Sequence, residues 1–278
     1  MKLSLCFSPC PNDTFIFDAM VHQKIDTEGL DFEVRLEDVE TLNRLVLAGQ
    51  PDISKISYGL LPLVIPDYRV LNAGSALGRG VGPLLISKNQ ITDGDTELQE
   101  KTVVLPGVHT TAHMLFSLAF PLAKKKIFLP FHEIENAVIN GVAEVGVIIH
   151  ENRFTYAAKG LTKLADLGEI WEKNTGQPIP LGGIVMRREL DPETLEKTDR
   201  VIRRSLEYAF AHYPELPPYV KDHAQEMDEQ VMRQHIDLYV NDFSLSLGKE
   251  GRAAVWKMLE MGTSLHPEPV AGSYEVFI

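Results

Sequence analysis

The chain has 278 residues, of which 44% are hydrophobic and 24% charged, and its formal net charge is −12. That length supports two domains with sizeable cores, and the composition is that of a globular chain. The acidic balance, with no basic run longer than Lys124-Lys125-Lys126, argues against a nucleic-acid partner, and no run of about 18 apolar residues exists to span a membrane.

Cys6 and Cys10 are spaced C-x-x-x-C with no second pair. They read as reduced thiols beside a buried strand, and no metal site is expected. Few residues precede Cys6, too few for the apolar region of an export signal, so a cytoplasmic location is expected.

The elements then follow in order. Leu3, Leu5 and Phe7 alternate with Ser4 and Cys6 as in a buried strand. Pro9 and Pro11 break it, and Asn12 or Asp13 caps a helix through Phe15, Phe17 and Met20. Residues 32–36 form a second strand. Asp38 caps a helix with Val39, Leu42, Leu45 and Val46 on one face, and Gly49 closes it. Strands are expected over 52–56, 69–71 and 81–87, with a helix over 58–64. The pattern restarts with a strand over 102–105, a helix opened by Thr110 or Thr111, a strand over 126–129, a helix over 133–140 and an apolar strand over 144–149. A last strand covers 182–186. The remainder reads as helices, the first beginning at Pro192, with 270–278 as an added strand or docking segment.

Strands alternating with helices predict an α/β protein with mixed, mainly parallel sheets. Two such series predict two lobes with a cleft between them. The larger lobe takes 1–95 and 188–278, and the smaller takes 96–187.

Open α/β sheets bind ligands beyond the carboxyl ends of their strands. Five polar clusters fall there: Ser8 to Thr14, Lys55 to Tyr58, the glycine-rich segment around Arg79, Pro106 to Thr111, and His150 to Arg153. Thr110 and Thr111 at a helix start offer hydroxyls and free N–H groups to an anion. Simple capping accounts for only one of them. Lys55 and Ser57 place a charge and a hydroxyl two residues apart, although a turn lysine in solvent fits the same pattern. Arg79 either reaches a carboxylate or flanks a turn. His150 ends an uncharged strand and has the pKa range of a general base, against the plainer reading of a structural histidine. Glu151 either pairs or faces solvent.

Other motifs fail. His109-Thr110-Thr111-Ala112-His113 lacks the glutamate of the zinc-protease pattern, and Gly78-Arg79-Gly80-Val81-Gly82 leads into a strand instead of a helix. There is no phosphate-loop lysine motif and no G-x-S-x-G elbow.

Several segments taken together resemble the 1,4-dihydroxy-6-naphthoate synthase family of the futalosine route to menaquinone. They are Ser8-Pro-Cys-Pro-Asn-Asp-Thr-Phe15, Leu36-Glu-Asp-Val-Glu-Thr-Leu-Asn43, Lys55-Ile-Ser-Tyr58, Leu77-Gly-Arg-Gly-Val-Gly-Pro83, His109-Thr-Thr111, Ile148-Ile-His-Glu151 and His235-Ile-Asp-Leu-Tyr-Val-Asn-Asp-Phe243. They span nearly the whole chain in order. The resemblance implies a type II periplasmic-binding-protein-like fold working inside the cell. It implies a carbon–carbon lyase that acts on cyclic dehypoxanthine futalosine, a small carboxylate, with no cofactor and no metal. His150 falls on the family's proton acceptor; Lys55, Ile56, Ser57, Thr110 and Thr111 fall on its substrate contacts. Asn12, in the Ser8 to Thr14 loop, and Arg79 are expected at the substrate from their placement. Chorismate dehydratase shares the fold, but the Ser8 loop and the His150 segment favour the synthase. A solute-binding protein for a carboxylate is the alternative of a different class. A homodimer is allowed, and no feature of the sequence specifies one.

Overall fold

The computed structural model describes residues 1–89, 98–225, 227–265 and 274–278. Strand β1 (Lys2–Phe7) feeds helix α1 (Pro11–Val21), whose residues from Pro11 to Met20 are all buried. A helix buried on every face lies inside a core, and the polar side chains of α1 must find partners there. Here α1 lies between the sheet and the long C-terminal helices, and Ser205 donates to the Ile16 carbonyl at 2.6 Å. Strand β2 (Asp31–Leu36) runs parallel to β1, and α2 (Val39–Leu47) leads to β3 (Ile53–Ser57) on the other edge of β1. The Asp38 carboxylate accepts from the N–H groups of Glu40 and Thr41, as its position in the sequence predicts. Strands β4 (Tyr68–Val70) and β5 (Ala76–Gly78) follow.

The chain then enters the second sheet. It lays down β6 (Leu84–Ser87), β7 (Val103–Leu105), α3 (Thr111–Ala119), β8 (Lys126–Phe128), α4 (Ile134–Ile139), β9 (Val145–Ile148), β10 (Thr162–Asp166) and α5 (Leu167–Thr175). Strand β11 (Ile179–Arg187) returns to the first sheet, and α6 (Pro192–His212), α7 (Glu229–Tyr239) and α8 (Gly248–Thr263) complete the chain's long helices. The sheet orders are β2-β1-β3-β11-β4, with β5 also on β11, and β10-β6-β9-β7-β8.

The sheets are mixed, as expected, but parallel pairing does not dominate. Pairs β1–β2, β1–β3, β7–β8 and β7–β9 are parallel, whereas β6 and β11 run against every strand they pair with. Strand β6 follows the outward passage with no helix between it and β5, so nothing turns it parallel to its neighbours, whereas α5 precedes β11. Sheet membership also shifts the expected lobe boundaries. The outward passage lies between β5 and β6, not near residue 95, and the return lies between α5 and β11, before the expected 187. Strands β5 and β10 and helix α5 are not anticipated from the sequence pattern. Of the expected C-terminal strand, residues 270–273 lie outside the described residues; further on, Phe277 bridges to Val70.

One apolar cluster joins Ile56 and Val185 of the first sheet to Leu85, Val103 and Val147 of the second, so the lobes share a core beneath the cleft. The outward passage crosses this core under tight constraint. A Cβ on Gly82 would sit 2.2 Å from the Gly168 nitrogen and 2.4 Å from its Cα, both fixed at the start of α5. Gly82→Ala is expected to lower stability by about 1–3 kcal/mol, because backbone must move to admit the methyl group. Urea denaturation measures the loss; an unchanged midpoint would contradict this packing.

Candidate active site

A cavity with about 710 Å³ of unfilled space, its mouth included, opens between the lobes. Asn12, Lys55, Ile56, Ser57, Thr110, Thr111 and His150 all line it, so seven of the eight expected positions come together. Arg79 does not. Its guanidinium lies at the surface, 3.1 Å from the Glu250 carboxylate and 3.3 Å from the Gly176 carbonyl. The glycine-rich segment carries it away from the cleft, so Arg79 is corrected to a surface ion pair.

The floor of the cavity is a buried charge network. Lys55, on β3, sets Nζ 3.0 Å from Asp13 Oδ1 and donates to the Gly74 carbonyl at 2.7 Å. Asp13 also accepts from the Ser8 hydroxyl at 2.7 Å and from Asn12 Nδ2 at 2.8 Å. Lys55 and Asp13 are 5% and 2% exposed, so neither charge is met by bulk water. An ammonium carries three donors and two are engaged, which leaves one for a ligand. Helix α1 begins at Pro11 with Cys10 as N-cap and no side-chain cap bond. Asn12 and Asp13 therefore sit in its first turn instead of capping it, and their side chains serve the site.

Beside the floor, Asn43 pins Ser57 from both sides. Asn43 Oδ1 accepts from the Ser57 N–H at 3.0 Å, and Asn43 Nδ2 donates to the Ser57 hydroxyl at 3.2 Å. The hydroxyl proton of Ser57 is then free to point at a ligand. The threonine pair is more structural than its sequence suggests. Thr110 caps α3 through the His113 N–H and donates to the Gly107 carbonyl; Thr111 donates to the Leu181 carbonyl at 2.6 Å and accepts from the Gly59 N–H. Their hydroxyls are committed, so the anion donors at this end are the first-turn N–H groups that the helical ladder leaves over. The first turns of α1, α2 and α3 all border the cavity; Asp13 and the Asp38 cap offset the partial charge of the first two, and α3 carries no acidic residue in its first turn.

His150 closes the site from the second lobe. It follows β9 with φ of 55°, a left-handed conformation uncommon outside glycine. Phe131 packs on its ring with centroids 4.8 Å apart. Protein surrounds most of the imidazole while part of it faces the cavity. Burial pushes its pKa from 6.5 down to about 4, with the Asp13 charge opposing and that of Lys55 assisting. The ring is therefore a neutral base at pH 7. Glu151 is buried, 3% exposed, so it does not face solvent.

Sequence reasoning missed Asp13 as a partner of Lys55, and Asn43, His235 and Tyr239 altogether as site residues, although all four stand in the quoted segments. A metal-capable trio also appears: the ligand atoms of Cys10, His150 and Glu151 lie within 4.8 Å of one another. Burial raises the Cys10 thiol well above its ordinary range. This favours the neutral thiol over the thiolate that binds metal. The group fits a metal poorly.

Two α/β lobes with a shared core and a cavity between them define a fold of the periplasmic-binding-protein type. The architecture is similar to the periplasmic aliphatic sulphonate binding protein of Escherichia coli (TM-score 0.67, 11% identity, covering 97% of this chain and 94% of that one), a likeness of fold alone. A protein of known structure from Archaeoglobus fulgidus matches with TM-score 0.89 and 32% identity, over 95% of this chain and 97% of that one. Residues 3–264 match the model of the menaquinone biosynthesis family, and the chain belongs to that family. Its relatives include 1,4-dihydroxy-6-naphthoate synthase of Streptomyces coelicolor, 42% identical over 97% of this chain and 96% of that protein. The enzyme of that name from Thermus thermophilus is 44% identical over 92% of both chains.

Two measurements test the site. Asp13→Asn leaves the Lys55 ammonium buried without its counter-charge and is expected to cost about 3–5 kcal/mol in urea denaturation at pH 7; a loss under about 1 kcal/mol would mean that water reaches Lys55. Between pH 6.5 and 4 the unfolded chain binds a proton on His150 that the folded chain refuses. Stability therefore falls across that window on this residue's account, by up to roughly 3 kcal/mol. His150→Asn is expected to flatten that part of the profile, and an unchanged slope would remove the burial argument.

Proposed function

We propose that this protein is a carbon–carbon lyase that converts cyclic dehypoxanthine futalosine to 1,4-dihydroxy-6-naphthoate, with His150 as general base. The observation that carries the reading is a neutral imidazole facing an interlobe cavity that Lys55, Ser57 and the start of α3 also line. Lys55, Ser57 and the first-turn N–H groups of α3 receive the carboxylate opposite His150. The relatives' names support an enzyme that makes this naphthoate, and the residues have the chemistry that the scheme needs.

In this scheme the substrate enters the cleft with its carboxylate toward Lys55 and Ser57. His150 removes a proton, and the electron pair released breaks a carbon–carbon bond. A three-carbon fragment leaves, and the remaining ring becomes aromatic, which supplies driving force. Donors fixed before the reaction steady the developing negative charge without reorganising. The Lys55 charge is already balanced by Asp13, so it binds the carboxylate through a directed donor and helix ends more than through net positive charge. Such a biosynthetic enzyme is expected to work in the cytoplasm. A solute-binding protein shares the fold, but the two enzyme-named relatives at 42% and 44% identity weigh against that role.

Purified protein mixed with cyclic dehypoxanthine futalosine is expected to form the naphthoate. His150→Ala is expected to lower kcat by about 10²–10⁴-fold, the usual contribution of a general base. No product from the wild type would overturn the activity, and unaltered kcat in the variant would remove His150 from the chemistry.

A further inference from the structure

A second histidine lies behind His150 and takes no part in the scheme above. His235, on α7, is fully buried, and its ring stacks on that of His150 with centroids 5.9 Å apart and planes 10° apart. Its protonation can be read from its neighbours. Asn12 Nδ2 donates to Asp13 Oδ1, a carboxylate oxygen held by Lys55. That fixes the Asn12 amide, so its Oδ1 faces His235 Nε2 at 2.9 Å. An amide oxygen only accepts, so Nε2 carries the proton. In a neutral ring Nδ1 is then bare, and it faces Glu151 Oε2 at 3.5 Å. Two lone pairs opposed in a buried site repel, and a single proton between them removes the conflict.

We propose that Glu151 is a protonated carboxyl that donates to Nδ1 of His235, and that this neutral pair positions His150 as an uncharged base. The inference rests on the reading of His150 as the base and deepens it. The ligand atoms of Glu151 and His150 lie within 4.8 Å of each other. An ionised carboxylate at that range would draw a proton onto His150 and block it. The other groups facing the two rings are already balanced or neutral. Asp13 is paired with Lys55, and Arg153 with Asp166 at 2.8 Å. Asp38 is occupied at the cap of α2, and burial holds Cys10 as a thiol and Tyr239 as a phenol. Burial and the nearby His150 also keep His235 itself neutral. The proton thus resides on Glu151.

The test is nitrogen-15 NMR of the whole chain labelled at histidine, from pH 3 to 8 so that the His150 midpoint of about 4 falls inside the range, with His150→Asn used to assign the His150 signals. The expected spectrum shows His235 protonated at Nε2 and accepting a hydrogen bond at Nδ1 throughout. In Glu151→Gln, whose amide mimics the protonated acid, the His150 midpoint is expected to move by less than about one pH unit, as is the acid limb of kcat/KM. A proton on His235 Nδ1, or a fall of about one unit or more in the variant, overturns the proposal, because either means that Glu151 is ionised in the wild type. If the variant fails to fold, the wild-type spectrum decides alone. Absence of turnover in the wild type would sink the catalytic reading and leave the proton's position still measured.

Discussion

The pairing of Lys55 with Asp13 is the constraint on which the site is built. Each charge taken from water costs several kcal/mol, and their attraction offsets that cost only when the remaining bonding capacity is filled. The fold meets the condition with the Gly74 carbonyl, the Ser8 hydroxyl and the Asn12 amide. Those partners lie on two separate segments and Lys55 on a third, so the pair ties the first turn of α1 to β3 and to the segment before β5. The floor of the cavity is consequently rigid, and the free donor of Lys55 points where a ligand can use it.

A molecule of net charge −12 repels anions at a distance. Inside the cleft the balance is local. First turns of α1, α2 and α3 border the cavity, Lys55 contributes a directed donor, and His150 stays neutral. The same architecture serves a sulphonate-binding protein in another organism. What separates capture from chemistry is a group that can take a proton, the role proposed for His150. Its left-handed backbone conformation turns the chain out of β9 and sets the ring at the border of the cavity. The buried His235 lies behind it.

Local signals were legible where one residue type dominates the energetics. Alternation in β1, the Asp38 cap and the uncharged run of β9 read directly. The missed elements have weaker signals. β5 is three residues long, and β10 (Thr162-Lys163-Leu164-Ala165-Asp166) is polar and half-exposed on a sheet edge, so neither shows a period. Helix α5 did carry signals, an Asp166 cap and Gly176 with φ of 70° beyond its end, but they follow an edge strand that conceals them. The lobe boundaries were misplaced because β6 and β11 look alike in sequence to strands of either sheet; only their pairing assigns them.

By itself the sequence determined the α/β class, the polar strand ends and the residues able to bind a carboxylate or accept a proton, since these depend on side-chain chemistry and short-range periodicity. It also carried the family resemblance. Tertiary structure decided which of those residues meet. Arg79 left the site for Glu250, the hydroxyls of Thr110 and Thr111 turned to backbone carbonyls, and Asp13 was joined to Lys55 across 42 positions of chain. Such choices turn on burial and on the partners that long-range packing brings within about 3 Å. No local pattern encodes them.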